Sequence, residues 1–141
     1  MNDNDTIKLL QECDAGARMA VSSINEVLDQ VKDREMKSLL CESREHHEKL
    51  GDEIHSLLTR HGSEANAMAK GMSWMKTNLK MGLDSSDATV ADLITDGCNM
   101  GIKSLHKYLN QYQAADKTSK SICGKLSDIE ETLCKDMRKY L

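Results

Sequence analysis

The chain contains few of the residues that interrupt helices or build aromatic cores. Its 141 residues include no Pro and no Phe, and aromatic residues make up 3%. Because Pro is the strongest helix breaker, its absence favours long helices. Any core must consist mainly of Leu, Ile, Val, Met and Ala. With 39% hydrophobic and 30% charged residues, the composition is typical of a folded protein, and the length predicts a single domain over residues 1–141.

Long apolar runs and a strong charge of one sign are also missing. No stretch approaches the ~20 apolar residues that a membrane span needs. The acidic, polar first ten residues lack the basic and apolar regions of a secretory signal. A formal net charge of -4 without a basic stripe gives sequence-independent nucleic-acid binding no electrostatic basis. We therefore expect a cytoplasmic protein whose partner is neither a membrane nor a nucleic acid.

The cysteines do not have the spacing of a disulfide framework or a zinc ribbon. Their number is odd, and no Cys-x-x-Cys motif occurs, although such sites depend on even numbers or on that motif. Reduced thiols are the simplest interpretation. The five residues are Cys13, Cys41, Cys98, Cys123 and Cys134.

Apolar residues recur at steps of three and four in four long segments, which is the period of one buried helical face. The first helix should run from Asp5 to Lys32, and the second should end at Gly62. The short join near Asp33 predicts an antiparallel hairpin. The last two stripes run from Ala91 to Tyr112 and from Ser119 to Tyr140.

A shorter stripe between the second and third helices carries Met68, Met72, Met75 and Leu79. Four amphipathic helices bury their stripes most economically in a bundle. We therefore predict an all-α, ferritin-like antiparallel four-helix bundle, with a short extra helix in the crossover between helices 2 and 3. The three Met thioethers could bind a soft metal such as Cu(I), but core packing by this flexible side chain is the favoured interpretation.

Two polar residues, Asp14 and His47, lie on stripes that otherwise call for apolar side chains. The hairpin places Asp14 level with Glu53, so the two carboxylates could share a site and raise one pKa. His47 should be buried, whereas His46 should be exposed. The alternative interpretation is that Asp14 is hydrogen-bonded at a solvent-accessible end of the bundle and that His47 is an ordinary core histidine.

A di-iron centre of the ferritin-like type needs a Glu from each of two helices and a Glu-x-x-His from each of the other two. No Glu-x-x-His occurs in this sequence. We expect the fourth helix to face the core with Leu126, Ile129 and Leu133. This apolar face would offer a metal ion no oxygen ligand. The acidic residues expected to flank that face are Asp128, Glu130, Glu131 and Asp136.

The segment LLQECDAGARM, Leu9 to Met19, resembles the first helix of the bacterial DUF2383 (PA2169) family of ferritin-like four-helix bundles. Similar features follow in place at Glu53-Ile54, His61-Gly62 and the Trp-containing segment 72–76. The stretch 95–99 occupies the place of an acidic motif in the family's third helix. The resemblance implies a ferritin-like bundle and covers nearly the whole chain.

The same resemblance implies that the carboxylate site is depleted. Ala17 stands where the family has a first-helix Glu, and Thr95, Cys98 and Asn99 stand where it has third-helix carboxylates. The acidic positions that remain as metal ligands are Asp14, Glu53 and Asp96.

These observations favour a non-enzymatic helical bundle that acts by self-association as a homo-oligomer or by binding a protein partner. We expect no cofactor and no catalytic residue. The alternative is a protein that weakly binds iron or another divalent metal through those three carboxylates, or a soft metal through Met and Cys.

Overall fold

The computed structural model describes residues 3–63 and 86–141. Within them the chain forms four helices: α1 (Asp3–Leu28), α2 (Arg34–Arg60), α3 (Asp87–Gln111) and α4 (Lys117–Met137), followed by a short 3-10 turn (Arg138–Tyr140). No strand occurs in these ranges, so the predicted all-α bundle of four long helices is confirmed. The short helix expected around Met68–Leu79 lies outside the described residues.

Polar side chains fix the helix starts. Asp33 accepts a hydrogen bond from the Met36 amide at 2.8 Å at the start of α2, and Asp116 accepts one from the Ser119 amide at 2.8 Å at the start of α4. Such caps satisfy amides that have no partner within the helix. At the other end of α2, Gly62 has a φ of 72°, which confirms its predicted role as the residue that follows the helix.

The first helix ends at Leu28 rather than at the predicted Lys32. The chain turns over residues 29–30, and the Asp87 carboxylate accepts hydrogen bonds from the amides of Lys32 and Asp33 at 2.8 and 3.0 Å. A contact from a distant helix therefore holds these residues in the turn. Hydrophobic period alone carries no information about such a contact.

Neighbouring helices run antiparallel. Contacts near the start of α1 mark one end of the bundle, where Gln11 donates to Ser63 at 3.2 Å and the Asp116 amide donates to Thr6 at 2.9 Å. Contacts from Asp87 to the α1–α2 turn mark the other end. Helices α1 and α4 thus run in one direction, and α2 and α3 in the other. No helix of the described ranges is long and apolar enough to cross a membrane.

The core consists of two apolar clusters separated by a polar layer. One cluster includes Ile24, Met36 and Leu133, and the other includes Leu9, Ile54 and Leu105. The layer between them is buried but not apolar. Its members are Ser43 and His47 of α2, Gly101 of α3, and Ser127 and Glu130 of α4.

Candidate functional site

A groove of about 680 Å³ runs along the contact between α1 and α2. Its floor includes Ala17 and Gly51, whose close packing brings the two helices together; a Cβ at position 51 would lie 3.8 Å from that of Ala17. Most of the residues that line it are polar or charged. The polar lining residues are Asp14, Arg18, Ser22, Asn25, Glu26, His47, Glu48, Asp52 and His55.

Asp14 is the buried acid of this groove. The residue is 1% exposed, and its Oδ2 lies 3.2 Å from Nε of Arg18, one turn further along α1. Burial raises the pKa of Asp14, although the Arg18 guanidinium and the His55 imidazole oppose the rise. A half-exposed arginine therefore compensates a carboxylate whose charge the interior disfavours.

His47 lines the same groove as Asp14 and is fully buried. Its Nδ1 lies 2.8 Å from the carbonyl oxygen of Ser43, so Nδ1 carries the proton and donates. Burial lowers the pKa of His47 to about 4. The ring is thus neutral near pH 7. His46, one residue earlier, is exposed, which confirms the predicted phase of α2.

The structure does not bring the three predicted metal ligands together. Glu53 is exposed and lines grooves that α2 shares with α4, beside Lys125. Asp96 is exposed on α3. Across residues 3–63 and 86–141, no group of three or more His, Cys, Asp or Glu could hold a metal ion.

The expected approach of Asp14 and Glu53 is therefore wrong, and the reason is rotational. Gly51 faces α1, and two residues further along an α-helix correspond to a rotation of about 200°. Glu53 consequently points away from α1, toward the groove with α4. Equal height along the hairpin does not place two side chains on the same face.

The prediction that α4 presents only apolar side chains to the core is wrong, because Glu130 lies there. It is fully buried, whereas Ile129 is only half-buried. Neither carboxyl oxygen of Glu130 has a hydrogen-bond partner within the described residues. Burial raises the pKa of this carboxyl group well above its ordinary value, so the core favours the protonated form.

The sequence contained a signal for this position. Cys123, Leu126, Glu130, Leu133 and Met137 follow one another at steps of three and four, so Glu130 lies on a regular buried stripe. The sequence of α4 therefore allows two different buried faces, one through Glu130 and one through Ile129. The room for the carboxyl group comes from Gly101 of α3, where a Cβ would overlap a Glu130 oxygen.

Four thiols surround this carboxyl group in two pairs. Cys98 of α3 and Cys134 of α4 belong to one of the two core clusters, and Cys13 of α1 and Cys123 of α4 belong to the other. All four residues are buried and reduced. Cys41, on α2, belongs to neither pair.

Geometry and connectivity define the architecture as a ferritin-like four-helix bundle. Neither a known family model nor a curated protein sequence matches the chain. The fold is similar to that of Dps92 from Deinococcus radiodurans, with a TM-score of 0.78, 16% identity, and coverage of 97% of this chain and 86% of that one.

A second similar structure is the dodecameric thioferritin, a bacterioferritin-related protein, from Bacteroides fragilis. Its TM-score is 0.79 at 11% identity, with coverage of 99% of this chain and 86% of that one. At these identities the two likenesses establish the fold alone.

Within residues 3–63 and 86–141, the side chains do not fit a di-iron centre held inside the four helices of a ferritin-like bundle. That centre needs four inward carboxylates and two imidazoles from all four helices. Among the described residues, the buried carboxylic acids and histidines are Asp14, His47 and Glu130. Asp14 faces the groove, where it pairs with Arg18, and α3 contributes Gly101 and Cys98 instead of an acid.

Proposed function

We propose that the protein is a non-enzymatic ferritin-like bundle that assembles with copies of itself through the α1–α2 groove and holds no di-iron centre. The observation that carries this proposal is the groove itself. It is large and open, and it presents charges of both signs, including the half-exposed Arg18 that pairs with the buried Asp14.

A groove of this kind can be complementary to itself. In a two-fold symmetric dimer the same patch meets its own copy, so each charge must find an opposite charge within that patch. Arg18 supplies the cation, and the exposed acids Glu48 and Asp52 supply the anions. Charged groups arranged in this way set register and partner choice more than affinity.

The fold neighbours support assembly, since the Bacteroides fragilis protein is described as dodecameric. Self-association is therefore the function that the groove and the fold favour together.

The test is the oligomeric state of charge variants by light scattering after size exclusion. We expect the wild-type protein to associate and Arg18→Glu to dissociate. Lys8→Glu, an exposed charge reversal on the same helix outside the groove, should associate like the wild type. The double variant Arg18→Glu/Asp52→Lys restores both signs and should regain association.

Circular dichroism of each variant checks that the bundle is intact. A wild-type protein that stays monomeric at all concentrations would contradict the proposal, as would an Arg18→Glu variant that assembles normally.

The second candidate function is weak binding of a divalent metal in the same groove. The observation in its favour is that the buried Asp14 carboxyl and the His55 imidazole line the same groove. Equilibrium dialysis with Mn²⁺ or Zn²⁺ tests it. Binding that is lost in Asp14→Asn and kept in Glu53→Gln would favour this function over assembly alone.

A further inference from the structure

One side of α4 carries six polar residues at steps of three and four, which is the spacing of a single helical face. All six line the grooves that α4 shares with α2. Five of them are exposed, and Asp136 is half-buried. This α4 polar face consists, in chain order, of Lys117, Ser121, Lys125, Asp128, Thr132 and Asp136.

The charges of the α4 polar face are separated by sign. Both lysines lie in the half nearer the start of α4, and both aspartates lie in the half nearer its end. The order is also symmetric about the point midway between Lys125 and Asp128. Each lysine has an aspartate at the same distance on the other side of that point, and the two hydroxyl residues are related in the same way.

This order of charges is unfavourable for the helix by itself. The start of a helix carries partial positive charge and its end partial negative charge, so acids are favoured in the first turn and bases in the last. The α4 polar face has the reverse, with Lys117 in the first turn and Asp136 in the last. In the described part of the chain, none of its four charges forms an ion pair. Contacts inside the subunit therefore do not account for this order.

An antiparallel second copy of the same face would account for it. In a two-fold symmetric pair each position meets its counterpart on the other copy. Lys117 then faces Asp136 of the partner subunit, and Lys125 faces Asp128 of the partner subunit. The hydroxyl side chains between them also face one another. A parallel second copy would instead bring lysine against lysine and aspartate against aspartate.

Helix α2 borders the α4 polar face with charges of alternating sign, which are Glu42, Lys49 and Glu53. It therefore adds no second charge-separated surface that would favour another orientation. The half-buried Leu39 and Ile129 lie in the same grooves and supply apolar surface for a contact. Charged groups in such a contact set its register and orientation more than its affinity.

We propose that the α4 polar face is a second self-association surface, on which two copies of this chain pack antiparallel with Lys117 against Asp136 and Lys125 against Asp128. This surface is distinct from the α1–α2 groove, and the inference does not depend on association through that groove. Exposed ion pairs contribute little each and weaken with salt. This contact alone should therefore hold two copies together only at low ionic strength.

The test compares two exchange variants of equal net charge by sedimentation at low ionic strength. Both carry Arg18→Glu, which removes association through the groove. Lys117→Asp/Asp136→Lys exchanges the charges within one facing pair, so it should form dimers like the Arg18→Glu parent. Lys117→Asp/Asp128→Lys exchanges charges between the two pairs, so like charges meet at both, and dimerisation should weaken by about tenfold or more.

A second exchange between pairs, Lys125→Asp/Asp136→Lys, should weaken dimerisation in the same way, and circular dichroism checks that each bundle is folded. With Arg18 intact, Lys117→Asp/Asp128→Lys should leave association through the groove unchanged at ordinary ionic strength, which distinguishes the two surfaces. Equal dimerisation of both kinds of exchange variant would overturn the proposal. A parent that stays monomeric at low ionic strength would also overturn it, because the face would then not bind a second copy.

Discussion

Glu130 is held in surroundings that oppose its charge. Both oxygens lack hydrogen-bond partners in the described part of the chain, and the side chain is fully buried between α3 and α4. The cost of an ionised carboxylate in such a place is several kcal/mol, which is why burial raises its pKa. The core therefore favours the protonated form of this acid over the charged form.

The first prediction is that Glu130→Met stabilises the protein at neutral and alkaline pH by about 1–4 kcal/mol. The unfolded chain releases this proton near the ordinary carboxyl pKa of 4.5, but the folded chain retains it to much higher pH. The folded state therefore binds more protons, so stability is fullest below pH 4.5 and is lost as pH rises through the folded pKa.

Urea unfolding of both proteins between pH 4 and pH 9 measures this difference, which should grow with pH. Glu131→Met, at the exposed neighbouring position, is the control and should follow the wild-type pH dependence. An unchanged gap between Glu130→Met and the wild-type protein across this range would contradict the prediction.

The second prediction concerns His47, whose pKa is lowered by burial from 6.5 to about 4. The unfolded chain takes up this proton as pH falls through 6.5, whereas the folded chain does so only near pH 4. The stabilisation is present above pH 6.5 and is lost as pH falls toward 4. The shift corresponds to about 3 kcal/mol.

Removing the imidazole should remove that acid sensitivity. Between pH 7 and pH 4, the free energy of unfolding of His47→Gln should fall by about 3 kcal/mol less than that of the wild-type protein. His46→Gln, which changes the exposed neighbour, should lose stability like the wild type. Equal acid sensitivity in all three proteins would show that His47 is not held neutral.

At the scale of the helices, periodicity predicted much of the fold because each helix buries one face. The stripe of α2 from Met36 through His47 to Ile54 is buried as predicted. The two errors have tertiary causes: Asp87 binds the turn that ends α1 early, and Gly101 makes room for Glu130 on α4. The hydrophobic period of one helix contains no information about side chains that another helix packs against it.

The third prediction follows from that close contact of α3 and α4. A Cβ at position 101 would lie 3.0 Å from the carboxyl carbon of Glu130 and overlap one of its oxygens. Gly101→Ala should therefore cost about 1–3 kcal/mol through overpacking. Gly124→Ala on α4, where a Cβ meets nothing within 4 Å, should gain up to about 1 kcal/mol from helix propensity.

A double variant shows whether the contact itself is responsible. If Gly101→Ala is destabilising because of Glu130, the Gly101→Ala/Glu130→Ala double variant should recover part of the loss, since the two positions touch. Thermal unfolding of the four proteins gives the coupling. If the free-energy changes of the two single variants were strictly additive, the methyl group added at position 101 would not be destabilising through its contact with Glu130.

At the scale of the whole molecule, the candidate site was only partly predictable from the sequence. Asp14 and His47 were singled out because each interrupts an apolar stripe, and both line the groove between α1 and α2. Glu53 and Asp96 were misplaced because their partners depended on helix rotation. The Cys pairs could not be found from spacing, since their members lie on three helices that only the bundle brings together.

The last prediction is that the protein forms no dinuclear iron centre. Such a centre needs six inward protein ligands, whereas the buried candidates in the described ranges are Asp14, His47 and Glu130. Asp14 is paired with Arg18, and Glu130 packs against Gly101 in surroundings that disfavour its charge. Iron(II) added in air should therefore give no oxo-bridged absorption, and its oxidation should be no faster than in buffer alone.

Asp14→Asn and Glu130→Gln should behave like the wild-type protein in this assay. Two tightly bound irons per chain, lost in Glu130→Gln, would instead mean that the core layer rearranges to admit metal.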